Sequence, residues 1–491
     1  MDKKPNILIF NPDQWRGEAL GHLGNPAVVT PNLDRVCKED GVSFSNAFCQ
    51  NPVCTPSRCS FMSGWYPHVR GHRTMYHMMH EDEPVLLKTL KDNGYFVWWA
   101  GKNDLIPATA DAGNYCNVRY KPDRNQVKPI WQMDRAKQLR GAPGSDTYYS
   151  FYFGKIDKGS EETYHDPEWA NVLAAIDFIK NYRGNAPFCL NLALTYPHPP
   201  YAVEEPWYSM IDRKKVPARI PAPEDWSGKP GMLKGIYERQ NLKGWDEQRW
   251  TELRAVYYGM CSRVDRQFGM LMSALKDAGI YGDTAVFMFS DHGDFTGDYG
   301  LVEKTENTFE DVLVRVPLIV KPPEWIKVKP RIYRGLVELT DFSATVSELS
   351  GIKFEYTNFG KSLVPLLCGD SAGHRDAVFC EGGSLRGEMH CKGFDSASAQ
   401  NPEGLYWPRV NLQCSGGPEH TKAVMCRTAE YKYVRRLYEK DELYDLESDP
   451  SELVNRIDDP SLSGVLNRLK DRLLAFYLET GDVVPYKTDK R

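Results

Sequence analysis

Four short apolar, β-rich runs punctuate the chain, and each one breaks off into a polar cluster. Residues 6–10 (NILIF) lead to Asp13 and Gln14, and residues 96–100 (FVWWA) lead to Gly101 and Lys102. Residues 188–194 (FCLNLAL) lead to Tyr196, Pro197 and His198, and residues 285–290 (AVFMFS) lead to Asp291, His292 and Gly293. Uninterrupted apolar runs suit strands covered on both faces, as in a parallel sheet held between helices. Ligands of such sheets bind beyond the carboxyl ends of the strands. All four polar clusters are therefore expected on one edge.

Helical periodicity alternates with these runs. Residues 83–93 carry leucines at 86, 87 and 90 and stop at Gly94. Residues 251–278 place Leu253, Val256, Tyr257, Met260, Val264, Phe268, Leu271 and Leu275 on one stripe and stop at Gly279. Residues 339–351 are helical by the same test. The alternation predicts an α/β fold with a large, mostly parallel central sheet flanked by helices. A boundary is expected near residue 370, giving a catalytic domain over 1–370 and a C-terminal subdomain over 371–491. The latter reads as a small α+β unit, with short strands over 423–436 and 442–446 and an amphipathic helix over 461–479. Insertions are expected near 115–165, with a basic, aperiodic core at 119–140, and over 201–250. The second holds Trp207, Trp226, Trp245 and Trp250, rings suited to stacking on sugar faces.

The stretch 51–64, NPVCTPSRCSFMSG, organises the rest. Pro56 favours a first helical turn and Gly64 a helix end, so Cys54 stands at a helix N-terminus, where backbone N–H groups favour an anion. Arg58 follows one turn later. Asp13, Gln14, Asp291 and His292, from two distant strand ends, can enclose one divalent cation. Their hard oxygens favour calcium or magnesium, and the imidazole leaves manganese open. Arg58, Lys102 and Lys304 facing that cation would surround a tetrahedral anion with positive charge. His198, between two prolines, is placed for proton transfer to a leaving oxygen.

Composition narrows the class. The chain has 491 residues, 41% hydrophobic and 26% charged, and a formal net charge of -5, which argues against a general nucleic-acid binder. No segment approaches the apolar length of a membrane span. The run before Asn11 and Pro12 is too short for a signal-peptide core, so the expected location is cytoplasmic. The 12 cysteines show no CxxC pair or zinc spacing, and reduced thiols are expected.

Cys54-Thr55-Pro56-Ser57-Arg58 matches the CxPSR signature of the type I sulfatases, within the alkaline-phosphatase-like superfamily, and the chain resembles that family well beyond the signature. The likeness runs from PNILIF through SDHGDFTGDYG (290–300), Lys304, RVPLIV (315–320) and GKSLVPLLCGD to RTAEYKYV and ELYDLESDP, covering nearly the whole chain in the family's order. The resemblance implies an alkaline-phosphatase-like fold. It also implies that a formylglycine-generating (sulfatase-maturing) enzyme oxidises Cys54 to formylglycine, 3-oxoalanine. Hydrated, this group would attack sulfur with one hydroxyl and expel the sulfate through the other. Asp13, Gln14, Asp291 and His292 match the family's metal ligands, with position 54 completing the shell around a metal, calcium foremost. Arg58 matches the residue that steadies formylglycine, Lys102 and Lys304 the sulfate-binding lysines, and His198 the histidine near the leaving oxygen.

Two departures stand out. The family's histidine two or three places after the first lysine is absent, and Asn103-Asp104-Leu105 follows Lys102 instead. Asp104 or His72 is a candidate replacement base. Gln14 replaces a commoner aspartate and lowers the site's negative charge. The His-rich stretch 68–80 adds His77 and His80 to the candidate substrate-binding residues. The expected reaction is hydrolysis of a sulfate ester or sulfamate on a sugar, from glycosaminoglycan fragments. The alternatives are a phosphonate monoester or phosphodiester hydrolase, where the Asp-Gln and Asp-His pairs also occur, and a non-catalytic sulfosugar-binding homologue.

Overall fold

The computed structural model describes residues 3–369, 373–394, 396, 398–488 and 490. The expected boundary near residue 370 lies outside the described residues.

An eight-stranded sheet forms the centre. In spatial order its strands are Arg331–Tyr333, Val42–Phe44, Leu318–Lys321, Thr284–Phe289, Asn6–Asp13, Phe188–Pro197, Phe96–Gly101 and Val118–Tyr120. Asn6–Asp13 runs parallel to both neighbours, as do Phe188–Pro197 and Phe96–Gly101; antiparallel pairing enters only where Leu318–Lys321 joins. The four apolar runs are thus adjacent parallel strands, and their polar ends share one edge. Alternation along Asn6–Asp13 feeds two cores: Ile7 and Ile9 enter one cluster, Leu8 and Phe10 the other. The long helix Glu247–Asp277 and the helix Pro167–Asn181 cover the second face, with Leu253, Val264, Phe268 and Leu271 wholly buried. Helices Cys54–Ser63 and Asp341–Ser350 cover the first, where Phe61 and Phe342 meet Phe289 edge-on or tilted at 4.9 Å.

The remaining helices fall within a few residues of their expected spans, at Leu86–Asp92 and Ser463–Thr480. The C-terminal sheet departs further. The stretch 423–436 is a hairpin of Ala423–Arg427 and Tyr431–Arg436; Glu442–Asp445 pairs with its second strand, and Val378–Gly382, which lacks a long apolar run, adds a fourth strand on the opposite edge, beside Ala423–Arg427. Among the described residues no helix is long and apolar enough to cross a membrane.

The tryptophans of 201–250 do not form a sugar platform over the site. Trp226 leans on Tyr237 and Trp245 on Trp250, with ring centroids 4.9 and 4.8 Å apart, while Trp207 packs near Trp169 at 5.9 Å. The stretch folds back onto the long helix, and that burial consumes the rings.

Candidate active site

Cys54 opens the helix Cys54–Ser63, every residue of which is buried. Gly64 ends it with φ +76, where a Cβ would sit 2.1 Å from the Asn358 amide. Ser57 Oγ donates to the Asp291 carbonyl at 2.6 Å, which ties the helix start to the end of strand Thr284–Phe289. The Cys54 thiol consequently points into the ends of the parallel strands.

One ligand atom from each of Asp13, Cys54, Asp291 and His292 lies within 4.8 Å of the others. Arg58 Nη2 bridges the two carboxylates, 3.1 Å from Asp13 Oδ2 and 2.8 Å from Asp291 Oδ2. Lys102 Nζ contacts Asp13 Oδ2, lies 2.9 Å from Asp104 Oδ2 and 3.3 Å from Cys54 Sγ. Lys304 Nζ donates to Gln14 Oε1 at 2.7 Å and reaches Cys54 Sγ at 3.5 Å and His198 Nε2 at 3.0 Å. Three cations and two buried carboxylates therefore converge on one thiol, with Asp104 at the rim.

Local backbone explains the aim of these groups. Gly101 takes φ +82, and a Cβ there would be 1.8 Å from the Ala193 carbonyl oxygen, so only glycine lets the chain turn Lys102 inward. Gln14 holds φ +67, unusual for a buried non-glycine residue and typical of functional positions. Its side-chain orientation is fixed from behind. Nε2 donates to Asp294 Oδ2 at 2.5 Å, which leaves Oε1 as the end facing the cluster.

Proton positions follow from the partners. His292 Nδ1 lies 2.9 Å from its own Gly293 carbonyl and so carries the hydrogen, leaving the Nε2 lone pair 3.2 Å from Cys54 Sγ. Burial pushes its pKa down to about 4 against the attraction of Asp291. His198 donates through Nδ1 to the Pro199 carbonyl at 2.6 Å, and burial together with the Lys304 ammonium holds it well below the usual histidine range. Burial disfavours the Asp13 charge, but the Lys102 ammonium and the Arg58 guanidinium overcome it and keep the carboxyl ionised. Burial, followed by Asp13, raises the Cys54 thiol to about 12. An unmodified Cys54 is thus a protonated thiol at neutral pH, a poor nucleophile.

The donor set fits a hard divalent cation. Asp13, Asp291 and Gln14 bring oxygens, and His292 brings an imidazole nitrogen already in the ligand tautomer.

A cavity of about 470 Å³ opens above this floor, lined by Cys54, Lys102, Asp104, His198 and Lys304. The other histidine candidates are placed elsewhere. His72 Nε2 pairs with Glu83 at 3.0 Å, His77 Nδ1 bonds Thr74 Oγ1 at 2.6 Å, and the His80 backbone N–H donates to Glu83. None of the three lines the cavity, because the loop turns the His72 and His77 imidazoles toward Glu83 and Thr74, leaves His80 exposed, and presents Met75, Tyr76 and Met78 instead. Sequence reasoning missed Glu306, Tyr406, Arg409 and Gln413, which form the upper wall. Glu306, two places after Lys304, was within reach of a local argument. Residues 406–413 carry no motif that points to a site.

A parallel sheet with an anion-binding helix start and a cluster of hard ligands at its carboxyl edge defines a hydrolase of the alkaline-phosphatase-like superfamily. A family model described as Sulfatase matches residues 5–352, and the chain belongs to the sulfatase family, the sulfuric ester hydrolases. The multifunctional alkaline phosphatase superfamily protein PehA of Trinickia caryophylli is 24% identical over 98% of this chain and 96% of its own length. The ulvan-active sulfatase of Formosa agariphila is 25% identical over 98% of this chain and 82% of its own. Among solved structures, the phosphonate monoester hydrolase of Agrobacterium radiobacter shares the fold with a TM-score of 0.72 at 22% identity, covering 97% of this chain and 96% of that one.

Proposed function

We propose that the chain hydrolyses a sulfate monoester on a carbohydrate, in particular a glycosaminoglycan-derived saccharide, with formylglycine made from Cys54 by a maturing enzyme. The observation that carries this reading is the position of Cys54 Sγ, within 3.5 Å of Lys102, Lys304 and His292 at the foot of a cavity. Formylglycine supplies a hydrated aldehyde, one hydroxyl to attack sulfur and a second to release the anion. Asp13, Gln14, Asp291 and His292 would hold one divalent cation, calcium by preference, which supplies charge neutralisation for anionic oxygens.

The chain's own groups do the rest. Lys102 and Lys304 bind the sulfuryl oxygens and offset the charge that builds on them. Arg58 fixes both carboxylates and keeps position 54 at the helix start. Lys304 Nζ donates to His198 Nε2, so this pair holds the proton that the departing alcohol needs. Asp104 reaches position 54 only through Lys102, which makes the Asp104–Lys102 pair the route for the proton lost in the second half-reaction.

A phosphonate monoester or phosphodiester hydrolase is the second reading. It is favoured by the Asp13-Gln14 and Asp291-His292 pairs and by the end-to-end match to PehA. Protein co-expressed with a formylglycine-generating enzyme, with the aldehyde verified by peptide mass, separates the two on sulfated saccharides and a phosphonate monoester. Sulfate release that disappears in Cys54→Ala supports the first reading. Turnover of the phosphonate alone replaces it with the second, and binding without turnover leaves a sulfosugar-binding homologue.

A further inference from the structure

The upper wall of the cavity is a built polar surface to which the reaction chemistry assigns no role. Helix Trp407–Cys414 presents Arg409 and Gln413, one turn apart, to the cavity. Gln413 is a bridge: its Oε1 accepts from Arg409 Nη1 at 3.3 Å, and its Nε2 donates to Glu306 Oε2 at 2.6 Å. His420 Nε2 lies 2.5 Å from that same oxygen, and Arg409 Nε donates to Glu303 Oε2 at 3.1 Å.

These bonds occupy one edge of the guanidinium and one oxygen of the carboxylate. Among the described residues, Arg409 Nη2 and Glu306 Oε1 make no hydrogen bond within the chain, and both residues line the cavity. A donor and an acceptor that neighbouring bonds hold in place and that face the cavity suit a ligand that supplies both complements. The chain also fixes their distance from the chemistry, because Glu306 lies two residues after Lys304. Tyr406, just before the helix, sets its ring 6.4 Å from that of His198 and adds a flat face.

We propose that Arg409, Gln413 and Glu306 form a leaving-group subsite for the hydroxyls of a pyranose ring. A hydroxyl pair both donates and accepts, as this wall requires. Arg409 and Glu306 are binding residues, and Gln413 is a positioning residue that keeps them in register. The subsite rests on the sulfate-ester reading of the floor.

The test uses full-length Cys54→Ala protein, which needs no maturation, and calorimetric binding of two probe sets. One set is the 2-, 3- and 6-monosulfates of glucosamine; the other is cyclohexyl sulfate and cyclohexylmethyl sulfate, which present sulfate on a ring without hydroxyls. Glu306→Gln should weaken the tightest-binding sugar sulfate about tenfold or more and leave the cyclohexyl probes within about twofold. Gln413→Met should fall between Glu306→Gln and the unsubstituted wall, with the melting temperature checked for each. Equal weakening of both probe sets, or of neither, overturns the subsite. Absence of sulfate release from every probe by the mature wild-type enzyme overturns the sulfate-ester reading and the subsite with it.

Discussion

The floor and the upper wall of the cavity are assembled on opposite plans. The floor gathers groups from the ends of adjacent parallel strands and from one helix start, and its charges are nearly all matched: Arg58 against Asp13 and Asp291, Lys102 against Asp13 and Asp104, Lys304 against Glu303. The upper wall comes from residues 406–413, far along the chain, and it leaves a donor and an acceptor open. A closed electrostatic cluster is suited to a fixed reaction, because its preorganised charges cost nothing to arrange as the reaction proceeds. An open wall is suited to selecting what brings the sulfate in. Floor substitutions should therefore lower kcat by orders of magnitude, and wall substitutions should act on KM.

The largest effect is expected at the nucleophile. Cys54→Ala in co-matured protein should lose at least ~10³-fold in sulfate release, with little change in melting temperature. Retained turnover would break the assignment of the floor as the reacting centre. Arg58→Ala comes next, since it removes the one charge that neutralises two buried carboxylates from behind. It should destabilise the protein by about 3–5 kcal/mol in urea unfolding, more than any single change in the wall. A chelator should lower turnover about a hundredfold or more, with calcium or magnesium restoring it. Recovery with neither ion would contradict the hard-ligand reading of Asp13, Gln14, Asp291 and His292.

Asp104→Asn sharpens the comparison within the floor. If the Asp104–Lys102 pair carries the second proton transfer, rapid mixing should show a normal first turnover followed by steady-state release about 10–100-fold slower. A uniform slowing of both phases would place Asp104 in substrate binding instead.

The smallest effect lies beneath both regions, where Glu168 on helix Pro167–Asn181 accepts from the backbone N–H groups of Thr195 and Tyr196, close to His198. Burial, aided by Asp166, raises this carboxyl from near 4.5 to about 7, and burial alone dominates a similar rise to about 7 at Asp265. Both groups bind their proton more tightly when folded. Their contribution to stability is thus fully present below the unfolded carboxyl pKa values and is lost as pH climbs from about 4 to 7, by about 1–3 kcal/mol each. Melting temperature followed over that window should fall, and Glu168→Gln should flatten part of the slope. An unchanged slope would remove Glu168 from the account.

Much of this molecule was legible before any coordinates. Strand and helix alternation, the buried character of the four runs and the shared edge of their polar ends all follow from side-chain periodicity, a local property that the chain states outright. Cys54, Arg58, Lys102, His198, Lys304 and the Asp-Gln and Asp-His pairs are all brought to one cluster; the two pairs, Lys102 and His198 lie just beyond runs whose register and direction are fixed by burial, while Cys54 and Arg58 arrive on the helix that opens at Cys54. The histidines of 68–80 and the tryptophans of 201–250 fared differently, since loop side chains take whatever partners the fold leaves them, here Glu83, Thr74 and neighbouring rings. The upper wall was invisible for the same reason. Arg409, Gln413 and Glu306 become a site only when residues 406–413 are carried across the sheet edge, and that placement rests on long-range packing of helix Trp407–Cys414 against helix Gly231–Gln240, which no local pattern encodes.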